Sequence, residues 1–195
     1  MTGNAERGRA TRERVIRAAT ELFAAKGFDG TSTEAVLTAS GVSRGSLYHH
    51  FVNKEALFRA VLADLQARLG AELAAVGQRA GEPIAAMRAG ALAWLGMARD
   101  PAVRQIMLID GPAVLGWRAF RELDEAHTLG GIRMALSWAA DAGRLPAEHV
   151  DVFAHIALAT VNELAIMIAT AEDPEQALRA GQSGVDEFLR RLLGD

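Results

Sequence analysis

Apolar residues recur three and four positions apart along almost the whole chain, and that spacing confines it to packed helices. At 3.6 residues per turn, such a pattern gathers side chains on one face. Val15, Ile16, Ala19, Leu22 and Phe23 form the first stripe, and Leu57, Phe58, Val61, Leu62, Leu65 and Leu69 the longest. No segment carries the strict alternation of a half-buried strand. Ala, Leu, Arg and Glu abound, and these side chains lose little freedom in a helix. Half of the 195 residues are apolar, enough to bury one or two proper cores. The expected fold class is all-α.

Polar punctuation places the helices. A first runs from about Thr11 to Lys26 and ends at Gly27. Thr31 and Glu34 have the spacing of a capping box at the start of a second. Ser40-Gly41-Val42 breaks that helix, Ser43 can cap a third over Arg44 to His50, and Asn53 a fourth. Further on, Pro83, Pro101, Pro146 and Pro174 each precede an apolar-periodic segment, as first-turn prolines do. The remaining helices are expected near 83–98, 101–109, 115–142, 147–171 and 175–193, with breaks at Gly111-Pro112 and Gly143.

Cysteine is absent, which removes disulfides, thiol nucleophiles and thiolate metal sites together. The segment Met1 to Arg14 is polar and arginine-bearing, unlike a signal peptide. No uninterrupted apolar run reaches the ~20 residues of a membrane span, so a soluble, cytoplasmic protein is expected. Net charge is −3, yet its distribution is uneven. Residues 1–59 carry 9 Lys or Arg against 6 Asp or Glu, and the remainder 12 against 18. A basic N-terminal unit on an acidic remainder suits a partner of negative charge.

The segment Thr31 to His50 reads as two short helices joined by a tight turn at Gly41, where glycine tolerates positive φ. In the third helix only Leu47, with Val42 just before it, offers an anchor. Arg44, Gly45, Ser46, Tyr48, His49 and His50 are polar or small, which suits insertion into a DNA major groove. Thr31, Thr33 and Ser43 sit at helix starts, where hydroxyls and amides can meet phosphate oxygens. Lys54, in the first turn of the fourth helix, opposes the helix dipole, a choice that a bound phosphate would explain.

Residues 31–62, TSTEAVLTASGVSRGSLYHHFVNKEALFRAVL, resemble the N-terminal domain of the TetR family of bacterial transcriptional regulators, a resemblance that extends over about residues 10–65. It implies that Gly41 is the turn glycine, that Arg44, Gly45, Ser46, Tyr48 and His49 lie on the recognition helix, and that Tyr48 and Lys54 contact the DNA backbone. Arg44 is the candidate for a base contact, since a guanidinium can pair bidentately with guanine. It further implies a helix-turn-helix domain over 1–52, then a helical ligand-binding and dimerisation domain over 53–195, joined by the helix from 53. The expected protein is a homodimeric repressor, not an enzyme, with no cofactor or metal, released from a palindromic double-stranded DNA operator by a small, mainly apolar effector.

Other patterns carry blander readings. Gly41-Val42-Ser43-Arg44-Gly45 matches a hydrolase nucleophile elbow, but a helix precedes it where that motif needs a strand. Tyr48, His49 and His50 also fit a plain helical surface. Arg7, Arg9 and Arg12 fit a solvated tail or a phosphate-touching arm. Asp151 and His155, four apart near Glu148, describe a solvated helix side as well as a metal site. Glu122, Asp124, Glu125 and His127 read as surface. Trp94, Met97, Met107, Trp117, Phe120 and Trp138 are either core or the wall of an effector pocket, with His155 and Asn162 as its polar groups. The segment from about 147 to 171 is apolar almost all round, and with the last helix it would form a four-helix dimer interface.

Overall fold

The computed structural model describes residues 2–193, with side chains from Ala5 onward; residues 1, 194 and 195, at the ends of the two expected domains, lie outside the described residues. The helices are α1 (Thr2–Lys26), α2 (Thr33–Ser40), α3 (Arg44–His50), α4 (Lys54–Ala80) and α5 (Pro83–Met97). A π-helical segment (Val103–Asp110) runs into α6 (Gly111–Leu115), followed by α7 (Trp117–Asp141), a single 3-10 turn (Ala147–His149), α8 (Val150–Thr170) and α9 (Pro174–Leu193). No strand occurs among the described residues, so the fold is all-α.

Two boundaries differ from those expected. α1 begins at Thr2 rather than near Thr11, because Ala5, Glu6, Arg7 and Arg9 are good helix formers and nothing there stops the helix. Gly111-Pro112 does not break the chain. The wider π turn before it tolerates a proline that lacks an N–H, and the helix ends instead at Gly116, at φ 76°.

The chain forms two compact units, whose limits do not follow the helix ends. The first holds the chain up to Leu65 together with Pro101–Phe120, and the second Gln66–Asp100 and the chain from Arg121. α4 therefore passes from one unit to the other part-way along its length.

In the first unit Val15, Ile16, Ala19 and Phe23 of α1 are buried with Val36, Leu47, Leu57 and Phe58. The rings of Phe23, Phe28 and Phe58 meet with centroids 5.2–6.0 Å apart. The turn after α1 is tied down by polar contacts. The Phe28 amide donates to Asp110 Oδ2 at 2.7 Å, and Gln105 Nε2 donates to Asp110 Oδ1 at 3.0 Å. One carboxylate thus joins that turn to a segment 82 residues away in sequence.

The second unit packs Leu129, Leu136, Ala139, Leu145, Ala154, Leu158 and Leu193 around one core, with Ile84 and Met87 of α5 against it. α9 buries Leu178, Gly181, Val185, Leu189 and Leu193 along one stripe. A Cβ at Gly181 would stand 3.3 Å from both Leu95 and Ile168, so that glycine sets how closely α9 approaches. Among the described residues one stretch, Ala147–Thr170, is long and apolar enough by composition to cross a membrane. Asp151 and Glu163 interrupt it, and Ala154, Ala157, Leu158, Ala165, Ile168 and Ala169 are buried within the second unit.

The Asp110 tie makes a testable statement about stability. Asp110→Ala leaves the Phe28 amide and the Gln105 side chain without their acceptor, which costs about 1–3 kcal/mol. Urea unfolding should show the midpoint falling accordingly, and Asp110→Asn, which keeps one acceptor oxygen, should fall less.

Candidate nucleic-acid interface

α2, the turn at Gly41 and α3 form a helix-turn-helix whose ends are capped by side chains. Ser32 is the N-cap of α2 and accepts from the Ala35 amide at 3.1 Å. Gly41 closes α2 at φ 64°, its amide donating to the Leu37 carbonyl at 3.0 Å. A side chain there would meet no neighbour, so the left-handed backbone alone calls for glycine. Ser43 caps α3 by accepting from the Ser46 amide at 3.2 Å, and Asn53 caps α4 by accepting from Ala56 at 2.7 Å.

Leu47 is the one buried residue of α3. Ser43, Arg44, Gly45, Tyr48 and His49 are exposed, while Thr33 and Ser46 are half-buried. Arg44 pairs with Glu34 of α2 across the turn. Both side chains are more than half exposed, and such surface pairs are worth little, so the guanidinium can leave at small cost. The helix thus presents a cation, a phenol and an imidazole around a glycine whose added Cβ would meet nothing.

Two of the expected contact residues have other work. Thr31 is 1% exposed, and its hydroxyl faces the carbonyls of Gly27 at 2.8 Å and Leu22 at 3.2 Å. It is therefore neither the α2 cap nor a surface group; the adjacent Ser32 takes the cap, and Glu34 turns to Arg44 instead of completing a capping box. Lys54 Nζ donates to the Phe28 carbonyl at 2.9 Å and the Thr31 carbonyl at 3.2 Å, and lies 4.0 Å from the Phe28 ring centroid. These carbonyls explain a cation in the first turn of α4 without a phosphate. Arg12, expected in a tail or an arm, lies within α1 with its guanidinium 5.4 Å from the Phe51 ring.

The eight expected pocket residues divide between the units. Met107 and Phe120 are buried in the first, where Trp117 is 63% exposed. Trp94, Met97, Trp138, His155 and Asn162 belong to the second. There Trp94 is buried with no partner for its Nε1, and Gln66, 2% exposed, has none for either amide atom. Asn162 Nδ2 donates to Asp124 Oδ2 at 2.6 Å. His155 lies 3.6 Å from Glu125 and 3.9 Å from Asp151, and Asp151 also pairs with Arg133 at 2.6 Å. Trp138 is 39% exposed. A cleft of about 360 Å³ lies elsewhere in the unit, lined by Ile84, Arg88, Asp186 and Leu189 among others. No cluster of three or more metal-ligating side chains occurs among the described residues.

Comparison with known proteins agrees with this architecture. Residues 15–61 match the family described as "Bacterial regulatory proteins, tetR family". Residues 84–192, more than half of the chain, match "Tetracyclin repressor-like, C-terminal domain". The chain belongs to the TetR family. Over 58 residues it is 43% identical to the HTH-type transcriptional regulator UidR of Escherichia coli K12, a match that covers 30% of each chain. It thus spans under a third of the length of that curated relative. A TetR-family transcriptional regulator from Pectobacterium atrosepticum superposes with a TM-score of 0.84 at 26% identity, over 97% of both chains. RolR in complex with resorcinol shares the fold, with a TM-score of 0.70 at 19% identity over 97% of this chain and 95% of that one.

In this TetR-family chain the residue that sequence reasoning missed in the second unit is Asp124. Grouped with Glu122, Glu125 and His127 it reads as surface, yet it is 7% exposed. Burial raises its carboxyl above the ordinary carboxylate value, opposed by the Asn162 hydrogen bond and the Arg121 charge. The signal was its spacing: Thr128, Ala135 and Ala139 follow at helical intervals of 4, 11 and 15 residues and are half-buried or buried on α7, so Asp124 falls on the inward stripe. Gln66 likewise sits between Leu65 and Leu69 on the inward side of α4.

A carboxyl whose folded pKa is raised binds its proton more tightly in the folded chain. Stability therefore falls as pH climbs from the unfolded value through the folded one, and the penalty is complete above both. Asp124→Asn removes that penalty and keeps an oxygen for Asn162. Its gain in melting temperature over wild type should be small near about pH 4 and larger near pH 7; a gain that shrinks with rising pH would contradict the burial argument.

Proposed function

We propose that the chain is a cytoplasmic homodimeric transcriptional repressor that reads a palindromic operator with α3 and releases it when the second unit binds a small effector. The observation that carries this reading is α3 itself: a seven-residue helix capped at one end, held by Leu47, with its polar side left in solvent. Too short to be stable alone, it makes sense as a helix offered to a groove. The contact set is Thr33, Ser43, Arg44, Gly45, Ser46, Tyr48 and His49, with Arg44 on a guanine edge and the hydroxyls and helix-start amides on phosphates. Thr31 and Lys54 support that surface from behind. Residues 1–52 form the reading part, and the chain from 53 onward the responding part.

Dimer formation rests on α8 and α9. Val152, Ile156 and Met167 of α8 are exposed apolar side chains, and Ala180, Ser183 and Gly184 give α9 a small-residue side in solvent. A second copy of the pair would cover both in a four-helix arrangement. The two α3 helices then meet successive major-groove faces about 34–36 Å apart.

For the effector, Trp94, Gln66 and the Asp124–Asn162 pair supply a donor, an amide and a carboxylate, all buried within one unit. Buried polar groups without partners are uncommon in native proteins, and a ligand with an apolar body and hydroxyl or amide groups would satisfy them. RolR, the structural relative, holds resorcinol. An effector acts only through its unequal affinity for the two dimer states, and α4 and α7, each of which belongs to both units, are covalent routes between them.

Gly45 provides the decisive test. Gly45→Ala places a methyl in open space and should stabilise the protein by about 0.5–1 kcal/mol, yet weaken binding to an operator selected from DNA around its own gene. Arg44→Ala should cost about 1–3 kcal/mol of operator affinity and relax the sequence preference. Full operator affinity in both variants would refute the assignment of α3. Independently, Ile156→Asp should convert the dimer to monomer in light scattering, and an unchanged mass would remove α8 from the interface.

A further inference from the structure

The face of α1 that packs onto the helix-turn-helix changes chemistry where α1 outruns it. Ile16, Ala19 and Phe23 recur on that face at intervals of three and four and are buried. Stepping back by the same intervals gives Arg12 and then Arg9, both exposed. The apolar stripe becomes an arginine stripe at the end of the core. Arg12 marks the place, because its guanidinium lies over the ring of Phe51, the residue that caps the C-terminal end of α3. The acidic residues of this segment, Glu6 and Glu13, fall about 60° and 40° round the helix from Arg9, away from Arg12.

Gly8 lies on the same side as Arg12. It is a helix-interior glycine whose added Cβ would meet nothing, so no contact within the chain requires it, and it costs about 1 kcal/mol relative to alanine. Gly45 on α3 shares this property, as do Gly70, Gly90, Gly96, Gly130, Gly131 and Gly184 on other helices, so such a glycine marks no contact by itself, but it leaves room for another backbone to approach closely. A polyanion alongside would offset that cost.

We propose that Gly8, Arg9 and Arg12 form a second DNA-contacting surface, an arginine face on the overrunning part of α1 that grips the sugar-phosphate backbone flanking the base pairs read by α3. The inference rests on the reading of α3 as the DNA-reading helix, with which this face is continuous at Phe51. The occupant is the phosphate backbone rather than base edges, because guanidinium groups pair bidentately with phosphate oxygens, Arg12 is held against Phe51, and Gly8 brings no side chain to read a base. The surface adds affinity without adding sequence preference.

Salt dependence counts such contacts, since each neutralised phosphate contributes about 0.9 to the slope of log K against log salt. The experiment titrates the full chain onto a short duplex of random sequence between about 50 and 200 mM salt. Arg9→Gln/Arg12→Gln should lower the slope by about 1.8, so that wild type loses about tenfold more affinity over that range than the variant. The ranking of operator variants should not change. Gly8→Glu, whose carboxylate stands one turn before Arg12 and can pair with it, should also lower the slope, and melting temperatures identify any loss of fold. Arg14→Gln, about 140° round the helix from Arg9, should leave the slope unchanged. An unaltered slope in both folded face variants, or an equal drop from Arg14→Gln, overturns the proposal. If wild type binds no duplex in a salt-sensitive way, the reading of α3 fails with it, and the two failures are distinct.

Discussion

The turn between α1 and α2 is where the first unit is fixed, and several of its backbone polar groups are satisfied by side chains. The Phe28 amide is taken by Asp110, the Phe28 and Thr31 carbonyls by Lys54, and the Gly27 carbonyl by the Thr31 hydroxyl. A backbone bend buried against three phenylalanine rings would otherwise strand these groups away from water. Gly30 belongs to the same constraint: a Cβ there would stand 2.3 Å from the Lys26 carbonyl. With the bend held from α4 and from Asp110, α2 leaves α1 at one angle, and α3 follows through the Gly41 turn. The surface offered by α3 is thus determined by residues that do not lie on it. A ligand that shifts Val103–Asp110 against α1 would change that surface through the Asp110 carboxylate, without touching α3.

Much of this is readable from sequence because it is local. The periodic stripes of α1 and α4, the break at Gly41, the caps at Ser43 and Asn53, and Leu47 as the inward residue of α3 each depend on a few neighbours in the chain. The errors occur where a distant partner decides. Thr31 and Ser32 are adjacent hydroxyls, and the cap falls to Ser32 because the carbonyls of Leu22 and Gly27 claim Thr31. Lys54 looks like a cation in want of an anion, since the carbonyls it serves lie 23 and 26 residues earlier. Asp124 looks like surface within a charged run, and only its phase along α7 places it inside. The π-helical passage into α6 has no local signal beyond a proline, which is equally a signal for a break.

Glycines separate the two kinds of constraint most clearly. Gly111 and Gly181 are pressed from within: a Cβ at Gly111 would come 2.9 Å from the Phe120 ring, and one at Gly181 would meet Leu95 and Ile168. Packing accounts for both. Gly8 and Gly45, like Gly70, Gly90, Gly96, Gly130, Gly131 and Gly184, are helical, carry no positive φ and meet nothing, so packing within the chain gives no reason for them. On α1 and α3 the proposed DNA contact would offset the cost of such a glycine. The same reasoning applies to the uncovered apolar side of α8, although there the missing neighbour would be another helix. The inward positions of this protein are explained by what the chain touches. The outward glycines Gly8 and Gly45 have no such account within the chain, and under the proposed DNA reading they fall on α1 and α3, elements that Phe51 and Arg12 bring together.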